Sequence, residues 1–548
     1  MTLRAARWLL VLLALVAFAV GVDNMSRPLA NPDEGRYSEI SREMSITGDW
    51  VTPRLDGIKY FEKPPLQYWA TALAFEAFGY NEYAARLYVW LCAIATLGIA
   101  AYTAMRLATV EAGIATALVL AGSPYFLALG GIVTLDMGVT LWTTLTVCAF
   151  LLAEHAHAER RASAARNWML VAWAAMALAV LSKGLIGIVF AGAAVFFQVV
   201  LSRDLSALRR MRWLPGLALF AVIAVPWFVL VSRANPEFAR FFFVHEHFER
   251  FLTHEHHRVQ PWWFFLPIVV LAFLPWAPAL PAAVRHAWRA ERGADLQPMR
   301  VALLWAAFIV FFFSASGSKL PAYILPAIPL LALPLGRYLA EAPAARLARY
   351  AAFTVPIGLV LFVAAYVTPG TSQEPWVREL NLAAQPFAYA AAAAFTAGAL
   401  AGAWLLRAGR RWTALAVVAL ANVLMVGGLI EGYRMFSPRQ SDQEAARLMG
   451  AYLRPSTRLY SVKIYDQSLP FYLGRTLKLV SYVDEFETGL KAEPGIGLDH
   501  LEDFPAEWLR PGDALAIIQP GVFEELQRQG LPMEVIHQDA KRVLVRKP

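Results

Sequence analysis

About thirteen mostly apolar stretches, each near the twenty residues that a helix needs to cross a bilayer, recur along this 548-residue chain. They lie near residues 8–22, 83–105, 112–129, 136–153, 168–182, 184–201, 213–232, 261–284, 299–316, 321–339, 349–368, 386–406 and 412–430. Only 16% of the residues are charged, against roughly a quarter in a soluble domain. The chain therefore reads as a polytopic α-helical membrane protein. The first stretch has the basic start and short apolar core of a signal peptide, but it reads better as an uncleaved anchor.

Arginine sets the expected orientation. With the N-terminus inside, alternate loops carry Arg160, Arg161 and Arg166; Arg203, Arg209, Arg210 and Arg212; Arg285, Arg289, Arg292 and Arg300; and Arg407, Arg410 and Arg411. Short arginine-dense loops stay cytoplasmic. An odd number of spans then puts the chain from about Glu431 onward in the periplasm. The basic residues are scattered over many loops and form no single face, which argues against nucleic acid as a partner. Cys92 and Cys148 fall inside separate spans and read as small core residues.

Two outer loops are long. The first, residues 23–82, opens with Asn-Pro-Asp-Glu-Gly-Arg-Tyr at Asn31–Tyr37. Its adjacent carboxylates Asp33 and Glu34 beside a bilayer need water, a cation or a reacting group. Tyr37, Ile40 and Met44 share one helical face, with Arg36, Glu39, Arg42 and Glu43 on the other, the pattern of an amphipathic helix lying on the membrane. The second, residues 233–260, holds five of the ten histidines. From 431 to 548 the apolar runs shorten to Leu459–Ile464, Leu477–Tyr482, Ala514–Ile518, Val535–Gln538 and Val543–Val545, with a helical pattern at Gly521–Gln529. That describes a small α/β domain following a 1–430 membrane domain, with Ser441-Asp442-Gln443-Glu444 as a capping box.

Every lysine falls on the expected outer side, including Lys59, Lys63, Lys183 and Lys319. A lone ammonium at a helix end often only snorkels. Several together, with Arg250 and Arg258 nearby, suit the phosphate of a lipid substrate. Asp136 opens another span on that side, where it serves either as a helix-start anion or as support for the site. Carboxylates facing cations are what departure of a phosphate needs. Glu62 with His245 or His247 has the ligand types of a structural zinc site, without a diagnostic spacing. No nucleotide-binding motif is present, and the chemistry needs no cofactor.

Asn31–Tyr37, Gly48–Pro53, Tyr60–Leu66 and Thr134–Asp136 resemble the integral-membrane GT-C glycosyltransferases related to protein O-mannosyltransferases. Glu246–Phe251, Ser318–Tyr323 and Ser468–Leu473 resemble, within them, the bacterial lipid A 4-amino-4-deoxy-L-arabinose transferases. The resemblance implies a GT-C fold with periplasmic amphipathic helices and a monomer in the bacterial inner membrane. It implies an undecaprenyl-phosphate-linked sugar donor and a lipid A acceptor. Asp33 would be the central catalytic carboxylate with Glu34 and Asp136 in support, and Lys63, Arg250 and Tyr323 would bind donor phosphate, with Lys319 beside them. His245 adds a group beside the usual Glu-His pair, so the ligands there stay open. Transfer of mannose to a Ser/Thr hydroxyl is the rival activity. A lipid-linked-sugar flippase is the rival class, disfavoured because the charged motifs cluster at one membrane face rather than halfway through the spans.

Overall fold

Hydrocarbon offers backbone groups no partners, so a spanning segment must pair its own N–H and C=O groups by coiling into a helix. A computed structural model describes residues 3–243, 260–291 and 296–548, and each apolar stretch is helical over most of its length. Among the described residues, eight helices are long and apolar enough to cross a membrane. A ninth follows if Phe265–Ala272 and Ala277–Ala290, bent by 107°, form one span. Val11–Met25, Val110–Ala121 and Ile186–Ser202 are shorter apolar helices.

Local sequence explains why several stretches are shorter than expected. The stretch 112–129 breaks at Gly122, after which the Ser123 hydroxyl caps the helix Pro124–Leu129 by accepting from the Phe126 N–H. Gly184, at φ 77°, separates Ala162–Lys183 from Ile186–Ser202, a left-handed position that glycine adopts without strain. Breaks leave carbonyls unpaired, and one side chain serves two of them. The buried Asn422 amide donates to the carbonyls of Gly122 and Leu274, each at 2.7 Å.

The chain packs as two units. One comprises Met1–Ser26, Arg86–Val229 and Phe243–Met435. Among its described candidate spans, Leu135–Ala158 is the most enclosed, with 83% of its apolar window buried. The other comprises Arg27–Ala85, Leu230–Phe242 and Phe436–Pro548. Packing thus draws the division differently from the 1–430 and 431–548 split read from composition, because most of the first outer loop shares a unit with the C-terminal segment.

This second unit contains a hairpin of β1 (Arg54–Leu55) and β2 (Ile58–Lys59). It also contains a sheet of β3 (Arg458–Val462), β4 (Lys478–Val480), β5 (Ala514–Ile518), β6 (Glu534–Gln538) and β7 (Val543–Arg546). The sheet order is β4-β3-β5-β7-β6, with β3 parallel to β4 and β5, and β7 antiparallel to β5 and β6. These strands fall where the five apolar runs place them. The expected capping box is not formed. The Ser441 hydroxyl accepts from the Gln443 N–H at 3.4 Å, and the Glu444 carboxylate pairs with Arg447 at 2.5 Å rather than reaching back to Ser441.

The helix Asp33–Thr47 corrects a second expectation. It does not present a charged face to water. Glu39, Arg42 and Glu43 are buried together with Ile40 and Met44. Arg42 donates to Glu39 at 2.6 Å and to the Gly474 carbonyl at 3.0 Å. Glu43 accepts from the Gly57 N–H at 2.8 Å, and Asp56 accepts from the Leu477 N–H at 2.7 Å. Burial, reinforced by the charge of Glu39, pushes the Glu43 carboxyl up to about 8. Burial and Glu43 likewise push Asp56 well above the usual carboxylate range. A carboxyl with a raised folded-state pKa holds its proton more tightly when folded, so stability falls as pH rises from the unfolded value, roughly 4.3, to the folded one. Thermal unfolding of the purified protein should therefore move to lower temperature between pH 5 and about 8, and Glu43→Gln should flatten that slope. An unchanged slope in Glu43→Gln would remove this carboxyl from the pH response.

Candidate active site

Within the membrane unit, consecutive antiparallel helices bring an acid and a base together. Asp136 lies in the first turn of Leu135–Ala158, and Lys183 ends Ala162–Lys183. An anion at a helix start and a cation at a helix end each suit the macrodipole. The Lys183 ammonium donates to Asp136 at 2.5 Å, with both side chains largely buried. The same ammonium lies 4.7 Å from the centre of the Tyr323 ring, within cation–π range. Tyr323 belongs to the short 3-10 turn Pro321–Ile324 and packs at 5.0 Å from Phe313. Tyr125 steadies that turn by donating to the Pro321 carbonyl at 2.5 Å. Asp136, Lys183 and Tyr323 thus form one cluster. Lys319 is buried and donates to the Ser316 carbonyl at 2.6 Å.

Within the second unit, Asn31 and Gly35 explain why their motif accompanies the segment near Ser468. The Asn31 amide donates to Asp442 at 2.7 Å, and its oxygen accepts from the Ser468 N–H at 2.8 Å. A Cβ on Gly35 would come within 2.5 Å of the Ser468 nitrogen, so the close approach of the two backbones requires glycine. This contact fixes the start of the helix Asp33–Thr47, where Asp33 is half-buried. Burial first, and then the negative charge of Asp33, raises the Tyr37 hydroxyl well above its usual range. Glu34 points elsewhere. Its carboxylate accepts from Arg27 at 3.0 Å and from the Ala30 N–H at 3.0 Å, which ties down the loop before the helix.

Arg36 lies on the same helix. It donates to the Tyr60 hydroxyl at 3.2 Å and pairs with Glu485 at 3.4 Å. Burial opposes its charge, but Tyr60 and Glu62 outweigh that and hold the guanidinium protonated. Lys63 donates to the Glu62 carbonyl at 2.9 Å, with the Glu62 carboxylate 3.7 Å away. No group of three or more His, Cys, Asp or Glu among the described residues is arranged to hold a metal. Arg250, His245 and His247 lie outside the described residues.

Sequence reading missed the partners rather than the groups. The Asp136–Lys183 pair had a usable signal, since the two residues sit at same-side ends of successive spans. The Arg27–Glu34 pair had none beyond spacing.

Two family profiles match the chain. One, described as dolichyl-phosphate-mannose-protein mannosyltransferase, covers residues 5–242. The other, described as aminoarabinose transferase C-terminal domain, covers residues 445–547. The undecaprenyl phosphate-alpha-4-amino-4-deoxy-L-arabinose arabinosyl transferase 1 of Sodalis glossinidius is 31% identical over 439 residues, which is 78% of this chain and 76% of that one. The chain belongs to the aminoarabinose transferase family. The corresponding enzyme of Pseudomonas aeruginosa strain UCBPP-PA14 is 34% identical over 348 residues, 62% of this chain and 60% of its own length. The crystal structure of ArnT from Cupriavidus metallidurans bound to undecaprenyl phosphate superposes with a TM-score of 0.93 at 34% identity, over 99% of this chain and 98% of that one.

Removing one member of a largely buried ion pair strands the other, which costs about 3–5 kcal/mol in a dry site, and the partial exposure here reduces that. Asp136→Asn and Lys183→Gln should each destabilise the protein. The double variant should recover part of the loss, with a coupling energy of about 1–3 kcal/mol. Strictly additive effects on thermal stability would show that the pair is not energetically coupled.

Proposed function

We propose that the chain transfers 4-amino-4-deoxy-L-arabinose from undecaprenyl phosphate to a phosphate of lipid A, on the periplasmic side of the bacterial inner membrane. The observation that carries this reading is the superposition, over 99% of the chain, on a structure bound to undecaprenyl phosphate. The similarity along 76% of an aminoarabinosyl transferase supports the choice of sugar.

In the proposed reaction a lipid A phosphate oxygen attacks the anomeric carbon, and the bond from that carbon to undecaprenyl phosphate breaks. The attacking phosphate is largely ionised at neutral pH, since the second pKa of a phosphate monoester is about 6. It therefore needs orientation more than deprotonation. Asp33 is assigned that task through the acceptor's remaining proton or the sugar's ammonium. Glu34, held by Arg27, is assigned to positioning the helix start. Lys63, Arg250, Lys319 and Tyr323 are assigned to the donor phosphate, whose charge grows as it departs. The ion pair of Asp136 with Lys183, beside Tyr323, is assigned to holding that ring and ammonium in place. A structural divalent cation, if bound, would be held by Glu62 with His245 or His247 and takes no part in these steps.

Mass spectrometry of lipid A from cells with and without the gene tests the activity: the aminoarabinose adduct should disappear without it. An unchanged lipid A together with altered protein glycosylation would point to hydroxyl transfer instead. Asp33→Asn should lose turnover while keeping donor affinity. Lys63→Ala or Arg250→Ala should instead weaken binding of undecaprenyl phosphate by roughly ten- to a hundredfold, the loss of a charge-assisted contact worth about 1.5–3 kcal/mol. Near wild-type turnover in purified Asp33→Asn would remove Asp33 from the mechanism.

A further inference from the structure

The membrane unit carries a polar cavity of about 760 Å³, lined partly by arginines. Arg285, His286 and Arg289 line it from the helix Leu280–Ala290, Tyr338 from the helix Ala327–Glu341, and Arg346 and Tyr350 from the helix Ala344–Phe353. Tyr323 lies just before the start of Ala327–Glu341 and Tyr338 eleven residues along it, so helical rise of about 16 Å separates the cavity from the Tyr323 cluster. The Leu280–Ala290 helix turns Ala283 and Ala287 inward. Arg285 and Arg289, four residues apart, share another face and remain exposed.

The charge balance there is one-sided. Glu341 is engaged by His286 at 2.6 Å and by Arg337 at 3.1 Å. Glu291 accepts the backbone N–H groups of Met299 and Arg300, at 3.0 and 3.1 Å, and pairs with Arg337 at 3.3 Å. No carboxylate among the described residues pairs with Arg285, Arg289 or Arg346. The Tyr338 hydroxyl lies 3.4 Å from that of Tyr350, and both line the cavity with Arg346. Three guanidiniums and two hydroxyls therefore line one cavity with no carboxylate among the described residues paired to the guanidiniums. Their donor set matches the several acceptor oxygens of a phosphate. Basic pockets between membrane helices on the cytoplasmic side bind anionic headgroups, and Arg300 stacked at 4.7 Å on Trp288 is the kind of pairing found at such an interface.

We propose that this cavity is a phosphate-binding site at the arginine-rich membrane face, separate from the groups assigned to sugar transfer. The phosphodiester of an anionic phospholipid and a free phosphate share the required chemistry. The cytoplasmic placement follows the orientation proposed above; the binding itself does not depend on the sugar transferred.

Binding to the purified full-length protein tests it, using short-chain phosphatidylglycerol, phosphatidylcholine and inorganic phosphate as separate probes in native mass spectrometry. Phosphatidylglycerol should bind the wild type about tenfold or more tightly than phosphatidylcholine. Combining Arg285→Gln, Arg289→Gln and Arg346→Gln should abolish that preference. A control combining Arg203→Gln, Arg209→Gln and Arg212→Gln, in another arginine-rich loop, should keep it. Displacement of phosphatidylglycerol by inorganic phosphate would show that a soluble phosphate also fills the site, and resistance to displacement would assign it to lipid. Absence of any preference in the wild type, a result that needs no variant to fold, would overturn the proposal. An equal loss in the control would do the same, since it would reduce the effect to diffuse positive charge.

Discussion

Charge in a place that water reaches poorly must find a partner, and the chain meets that demand at each level. Asp136 and Lys183 answer each other across neighbouring helices, Arg27 answers Glu34, and Asn422 supplies the donors that broken helices leave missing. Removal from water strengthens each contact and raises the cost of losing it. The same condition makes the clusters useful chemically. In the proposed reaction, a cation already held in a dry setting would meet the departing phosphate without first rearranging solvent.

The two carboxylates of the Asp-Glu pair divide along this line. Glu34 is saturated by a guanidinium and a backbone N–H. Asp33, one residue earlier, is only half-buried at the start of its helix, with Tyr37 feeling its charge. Adjacent residues on a helix point about 100° apart, so Glu34 can serve the scaffold while Asp33 keeps the separate position that the proposed role requires. Gly35 and Asn31 hold this geometry by bringing the helix start against the backbone of Ser468.

Much of the architecture could be read from residue order. Apolar length located the helices, and short apolar runs located five strands, because both signals are local and periodic. The 107° bend after Phe265–Ala272 was not legible, since hydropathy reports what a segment avoids and not its path. The helix Asp33–Thr47 misled for a related reason. Its charged residues follow the pattern of a solvated face, yet they are buried, and Arg42 donates to a carbonyl over four hundred residues away, that of Gly474, which no local window contains. The candidate site groups Asp33, Asp136, Lys63 and Tyr323 stood out by type and motif. The bonds that orient them are tertiary, so the pairing of Asp136 with Lys183 emerged only from the fold.

The second unit is assembled from three separated stretches of chain, and this has a consequence for biogenesis. The contact between Asp56 and Leu477 spans 421 residues. At synthesis rates of about 5–20 residues per second, the early partner waits roughly 20–80 seconds for the late one. Through that interval Glu39, Arg42, Glu43 and Asp56 have no interior to enter. Their polarity, a burden in the finished core, keeps the waiting segment hydrated and unattractive to stray strands until its C-terminal complement is made.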